Sequence, residues 1–517
     1  MAAMMFWGFV LRFVQCLAQA SPFILTGFVI AAILQRFFGV TETRRLFGGT
    51  SRWSLLRAWL IGMLLPVCSL GVIPVVRELR RAGLKGGTIL AFAMSAPLFN
   101  PLSLLYGLTL SEPIAIITFA LCSLVIVTVV GLIWDRLFSV TETVAPVDPE
   151  IDYGIRRMVA VGACAARDAS GSSWLYILAG LSGVALAGAL LPAGALQHTF
   201  NSDNSLAPLI MSVMAIAVYA TPMLAMSQLG MMFQHANSIG AAFVLLVLGA
   251  GMNLGLALWM FRQYGARRSL VWFLLLMGVV LGLAYGIERP LFPRDIEPAN
   301  HTHAFDIYCQ PFSSNQSGFL QLAHATGEKL DRDIQIYEWH SLKLLLLLAV
   351  SGVVFRIVDR SGRITRWIES SSSANQPKKL DIVLPPSVIG LCCLVGLVVL
   401  SGVGCYAYYP TAEEALEEMY IVRGEALSSA RSGDLAQTEY WIDLYSDWSR
   451  KMEVGVYLRN WELSDYHRWK ARLLREQLEL LKHEVEDQEE EEVRALILKI
   501  SRTHQRMRYA FTEELDG

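Results

Sequence analysis

Cys68 and Ser69 follow Pro66, and Ser95 and Asn100 bracket Pro97 just before Pro101, so thiol, hydroxyl and amide groups gather around prolines in two otherwise apolar stretches. The whole segment, Pro66 to Pro101, reads PVCSLGVIPVVRELRRAGLKGGTILAFAMSAPLFNP. Proline removes a backbone donor and clashes with the preceding turn, so Pro66, Pro74, Pro97 and Pro101 leave helix groups unpaired. In lipid such breaks are tolerated only where the freed groups are buried in protein or line a wet cavity. Cys68 either offers a soft thiolate, suited to a soft metal or metalloid, or packs as a small hydrophobe. Asn100, and Asn253 further along, must find hydrogen-bond partners, by tying helices together or by facing a bound solute. Met223, Met226, Met231, Met232 and Met252 read either as weak soft partners or as packing.

A second constellation lies in HTHAFDIYC, which holds His301, His303 and Cys309 with Asp306 between them; His324 and His340 follow. These are metal-ligating residue types without a standard zinc spacing, so a metal site and a surface loop with incidental histidines both stay open. The sequence contains no GxxxxGK[ST], HExxH or GxSxG. Nothing therefore supplies nucleotide coupling or hydrolytic catalysis, and neither an enzyme nor a cofactor is expected.

The elements that must position these residues are apolar. Of 517 residues 54% are hydrophobic and 17% charged, against about 25% charged in an ordinary soluble domain, and the mean hydropathy is +0.44. The pattern predicts an all-α polytopic membrane protein with two repeated four-segment bundles, two further spans and a C-terminal soluble helical domain. The first bundle, residues 1–138, holds apolar runs at 1–34, 55–76, 86–110 and 113–134, with a basic turn at Arg77, Arg80, Arg81 and Lys85. A mixed-charge linker at 139–172, carrying Pro146 and Pro149, reads as a loop. The second bundle, 173–287, has runs at 174–191, 206–229, 239–261 and 270–287. The halves echo each other: Gly87 stands as far before Asn100 as Gly240 before Asn253, and Pro66 is matched by Pro222. Internal repeats in membrane proteins place binding sites at the repeat interface.

A polar outer loop at 288–340 and two more transmembrane segments within 341–408 come next, then a charged segment, 409–517. Leu474, Leu478, Leu481 and Val485, and then Val493, Leu496, Ile500 and Met507, recur at helical spacing around an acidic run at 486–492. This predicts a helical, coiled-coil-like domain of three or four helices ending in an antiparallel pair, open to a protein partner or to self-association. The loops with Arg262, Arg267 and Arg268 and with Arg360, Arg363, Arg366, Lys378 and Lys379 are basic and read as cytoplasmic, which puts the 288–340 loop and the C-terminal domain outside. In the first half the rule does not decide, since the basic segments at Arg44 and Arg80 are separated by one apolar run. Either that run is re-entrant or one loop departs from the rule.

The Pro66–Pro101 segment resembles the signature of the ArsP/YraQ-type predicted permeases, a Pro-x-Cys-Ser-Cys-Gly-Val-Ile-Pro run followed by a basic turn and an AF-x-x-S-x-P-x-x-NP helix. The resemblance is specific over this segment and extends loosely across residues 1–290. It implies a multi-pass membrane permease. The best understood members export trivalent organoarsenicals, with the signature cysteines proposed to engage the metalloid. Here Leu70 stands in place of the second cysteine, which leaves Cys68 as the single thiol of the motif. Two function classes follow. One is a secondary permease in the cell membrane that moves a small solute, such as a soft metal or organometalloid, past Cys68, Ser69, Ser95, Asn100 and Asn253. The other is a non-transporting membrane anchor or sensor that presents the outer loop and the helical domain. The lipid bilayer and a small-molecule or metalloid substrate are the expected partners, and nucleic acid is not.

Overall fold

The computed structural model describes residues 2–513 apart from 50, 52, 111–112, 139–154, 294–295, 297, 300, 313–317 and 370–385. Among the described residues it is all-helical, with no strand. They divide into two units, Met1–Ser103 with Ile114–Val398 and Leu104–Pro113 with Val399–Gly517.

The first unit opens with α1, Ala2–Ile33, whose 32 residues rise about 48 Å, more than a hydrocarbon core requires. A π-helical turn at Leu34–Phe38 and α2, Gly39–Leu46, follow. Next come short helices: α3 (Ser54–Leu64), α4 (Val72–Arg81), α5 (Gly86–Ser95) and α6 (Pro101–Leu110), the last of which belongs to the second unit from Leu104 on. α7, Pro113–Leu137, is uninterrupted. Its residues Ile114, Ile117, Leu121, Val125, Val129 and Leu132 are exposed at three-and-four spacing, while Ala115, Phe119, Ile126, Val130 and Trp134 are buried. A helix apolar on both faces, with one of them open, is what a lipid-facing span requires.

α8 (Ile155–Ala169) precedes α9 (Ser173–Leu190), and short helices then recur: α10 (Ala207–Ala215), α11 (Pro222–Gln234), α12 (Ile239–Val244) continued by a π-helical stretch to Ala250, and α13 (Leu254–Tyr264). α14 (Ala266–Glu288), α15 (Phe319–Asp333), α16 (Ile336–Val358), α17 (Arg363–Glu369) and α18 (Pro386–Tyr408) complete the sequence up to the C-terminal domain. Five helices among the described residues are long and apolar enough to cross a membrane, and a sixth span is counted if α12 and α13, bent by 59° at their break, form one. This is a multi-pass membrane protein.

Two expectations differ from the structure. The linker expected as a loop contains α8, which packs against α1 and α16 through a small-residue face of Ala160, Cys164, Ala165 and Ala169. A Cβ on Gly352 of α16 would overlap the Ala166 carbonyl. Arg157 donates to the carbonyls of Arg36 and Phe37, which the π-helical turn leaves available, and its guanidinium lies 4.5 Å from the Phe37 ring centroid. The rest of the linker, 139–154, and most of the basic loop before α18 lie outside the described residues. The 288–340 segment, expected as a loop, is helical or buried over many of its described residues. α15 packs on α1 with Leu322 among Leu11, Trp7 and Phe312, and Thr302, Ala304, Phe305, Tyr308, Cys309 and Phe312 are buried.

The second unit contains α19 (Ala412–Ser432), α20 (Leu435–Asn460), α21 (Asp465–Glu486) and α22 (Glu490–Glu513). The first three starts are marked in the sequence. Thr411 and Glu414 form a reciprocal capping box, Asp434 caps α20 and Ser464 caps α21. Gly433, at φ +72°, takes the left-handed position that ends α19. Leu416, Met419, Tyr445, Met452, Leu474, Leu478, Leu481, Ile500 and Met507 form its core. Arg475 pairs with the buried carboxylate of Glu453, whose carboxyl burial pushes up, and the Tyr445 hydroxyl lies 2.7 Å from His504 Nδ1.

Candidate functional site

Four breaks interrupt the short helices of the first unit, at 65–71, 96–100, 216–221 and 251–253. At the first, Leu65 turns extended, and the chain restarts when the Val72 N–H reaches the Cys68 carbonyl (2.9 Å). The Gly71 N–H donates to Cys68 Sγ (3.3 Å), so the thiol caps the end of its own break. Ser69 is fully buried, and its hydroxyl has no hydrogen-bond partner. A Cβ on Gly27 of α1 would overlap the Gly71 carbonyl, so α1 presses directly on this bend.

The second and fourth breaks end alike. Asn100 Oδ1 accepts from the Ser103 N–H (2.8 Å), and the Asn100 N–H donates to Ser103 Oγ (3.0 Å). Asn253 Oδ1 accepts from the Leu256 N–H (2.9 Å), which leaves its Nδ2 buried with no acceptor. Both asparagines thus cap the helix that follows them. Ser95 bonds to Phe92 O (3.3 Å) and Ala58 O (3.5 Å), wedged where α3 offers Gly62. At the third break Thr221 caps α11, and the Ala220 N–H donates to the Gly249 carbonyl (3.2 Å), stitching this break to the π-helical stretch.

The fold brings breaks from the two halves of the chain together. The hydroxyl of Tyr219, in the third break, lies against the Cys68 thiol without the geometry of a full hydrogen bond. On α9, a Cβ at Gly180 would meet Leu70 Cδ2 at 2.5 Å and Asn253 Oδ1 at 2.8 Å, so the first and fourth breaks share one wall. A Cβ at Gly251 would meet Leu98 Cδ2 at 2.9 Å and the Met94 carbonyl at 3.3 Å, which sets the second break beside the fourth. Of the sequence-predicted residues, Cys68 and Asn253 therefore stand at this junction with Ser69 beside them. Ser95 is taken up between α3 and α5, and Asn100 is a cap. Sequence reasoning missed Tyr219, whose only outward signal is its place three residues before Pro222.

Two carboxylates hold the helix hairpins. Asp135 at the end of α7 accepts from the Gly87 N–H (2.8 Å), and Glu288 at the end of α14 accepts from the Gly240 N–H (2.6 Å); each pair is 48 residues apart. Glu288 also accepts from Ser238 Oγ (3.0 Å) and the Ile239 N–H (3.2 Å).

The other expected site lies in the buried part of the 288–340 segment. His303 Nδ1 is 2.7 Å from Asp306 Oδ2, and Gln197 Nε2 donates to the same carboxylate (3.1 Å). The rings of His301 and His303 are 5.5 Å apart, and these two remain the segment's candidates for holding a metal. Cys309 is turned inward, its thiol 3.9 Å from the Phe305 carbonyl and its own carbonyl accepting from Arg12 (3.3 Å). The segment is sewn to the bundle. Tyr308 donates to Gln228 Oε1 (3.2 Å), Gln228 Nε2 donates to the Ala304 carbonyl (2.8 Å), and the Thr302 N–H donates to the Gln197 carbonyl (2.9 Å).

The profile of a family described as predicted permease, ArsP_1, matches residues 6–287, the part of the chain that holds every break. A stretch of 92 residues is 34% identical to UPF0718 protein YcgR of Bacillus subtilis (strain 168), covering 18% of this chain and 31% of that protein. The chain thus matches less than a third of that relative's length. No solved structure matches.

Proposed function

The chain belongs to the ArsP_1 family of predicted permeases, matched over more than half its length, and from that premise we propose that it is a secondary permease whose solute passes the junction of the four helix breaks. The observation that carries this reading is the convergence of breaks from the two halves, where Leu70 and Asn253 crowd Gly180, Leu98 lies against Gly251, and Ser69 and Asn253 keep buried polar atoms unpartnered beside Cys68 and Tyr219. Unpaired polar groups of this kind are costly inside a protein unless something binds them. The recurring order of elements, and the Gly87–Asp135 and Gly240–Glu288 pairs at one spacing, support reading the halves as an internal duplication with the site at their interface. A small solute is the cargo, and the single thiol suits a soft metal or organometalloid. The chemistry is transport rather than catalysis, and the loop charges put the C-terminal domain outside the cytoplasm.

The test is flux into vesicles that hold the full chain, after a resistance screen of deletion and overexpression cells against metals, metalloids and organic arsenicals has named a cargo. Cys68→Ser and Tyr219→Phe should each slow transport at least about tenfold while insertion is kept, the loss of roughly one good contact. Parental rates in both variants would remove the junction as the site. A screen without any cargo would favour an anchor or sensor that presents the helical domain.

A further inference from the structure

Resting on the permease reading and narrowing its cargo, we propose that the junction takes a small uncharged solute that carries hydrogen-bond acceptors, and turns away free ions of either sign. Every unpartnered group at the junction can donate, and one of them can do nothing else. Asn253 has spent Oδ1 on the Leu256 N–H, so what it still offers is Nδ2, a pure donor. The Ser69 hydroxyl is buried with no hydrogen bond formed, and the buried Tyr219 hydroxyl has only its loose contact with the Cys68 thiol. Cys68 already accepts from the Gly71 N–H, and a thiol is a poor acceptor for Tyr219 as well. Three donors from two halves of the chain therefore lack what a carbonyl, ether or hydroxyl oxygen would provide.

Charge is missing as well. The four breaks, residues 65–71, 96–100, 216–221 and 251–253, contain no Asp, Glu, Lys, Arg or His. Taking a bare ion out of water without a counter-charge costs far more than hydroxyls can return. Leu70, seated against Gly180 and beside Asn253, puts an apolar side chain where a charged group would have to stand for an ion to bind. An uncharged solute, part apolar and part acceptor, matches both walls.

Cys68 itself reports on what enters, so the test needs no known cargo. Full-length protein in liposomes is treated with N-ethylmaleimide, which is uncharged and bears two carbonyl acceptors, or with methanethiosulfonates carrying a trimethylammonium or a sulfonate. Labelling of the Cys68 peptide is read by mass spectrometry, and each rate is normalised to that of glutathione. The maleimide should be favoured over both charged reagents by about tenfold or more. Asn253→Asp keeps a capping side chain, because aspartate is as good an N-cap as asparagine. It supplies a carboxyl that an entering cation can hold ionised, so it should raise the relative rate of the trimethylammonium reagent. Ser69→Ala removes one donor without touching a cap and should slow the maleimide. Equal normalised rates for the charged and uncharged reagents would overturn the selectivity and leave the permease reading standing. Failure of all three reagents to reach Cys68 would overturn both the selectivity and the placement of the path.

Discussion

Asn100 and Asn253 use their side-chain oxygens in the same way, each accepting the N–H three residues on. From sequence they stood as ties between helices or as solute contacts. The structure makes them caps, and for Asn100 the signal was present, since asparagine before a proline is a common helix start. Asn100→Ala should therefore cost about 1 kcal/mol of stability in detergent unfolding and abolish transport by loosening the second break, whereas Asn100→Asp should retain both. Transport in the alanine variant at the parental rate would separate the cap from the path. Tyr219 shows the opposite case. A tyrosine in an apolar run looks like packing until the fold sets it on a thiol from the other half. His504, in the helical domain, gives a prediction in pH. Burial first, then Arg423 and Arg508, push its pKa down to about 4. The unfolded chain protonates it near pH 6.5 and the folded domain does not, so stability is full above that pH and is lost as the pH falls towards 4. The loss should reach about 3 kcal/mol, and denaturant titrations followed by tryptophan fluorescence should show it shrink in His504→Gln.

The prolines announced the breaks at 65–71 and 96–100, because a ring without an N–H cannot continue a helix. Pro222 marks the end of the third break rather than its start, so the pairing with Pro66 is offset from the bends themselves. The break at 251–253 contains no proline, only Gly251 and the Asn253 cap, and sequence gave no bend there. α8 was hidden for a related reason. Its buried face is alanine and cysteine, too weakly apolar to stand out between charged residues. The ties from Asp135 to Gly87 and from Glu288 to Gly240 each set a charged acceptor on a backbone N–H, worth about 1.5–3 kcal/mol per bond. Asp135→Asn and Glu288→Gln should accordingly both lower the melting temperature of the detergent-solubilised protein, Glu288→Gln the more, since Glu288 also holds Ser238 and Ile239. A large effect from one and none from the other would argue against reading the halves as a duplication.

For the molecule as a whole, the all-helical membrane architecture was legible from hydropathy, while the two apolar stripes of the C-terminal segment pointed to its last two helices and left the number before them at one or two. Which side that domain occupies is a matter of loop charge. A reporter active only in the cytoplasm, fused after Gly517, should be silent, and strong activity would reverse the orientation. The contact between Gln228 and the segment around Tyr308 bears on where this protein can be cut. The family match stops at residue 287, which invites an expression boundary there. A chain ended at that point would keep α11 and lose both partners of the Gln228 amide, Ala304 and Tyr308, uncovering a side chain that the full chain shields wholly from solvent. The smallest piece worth purifying is therefore longer than the piece that defines the kinship, and it must run past Phe312.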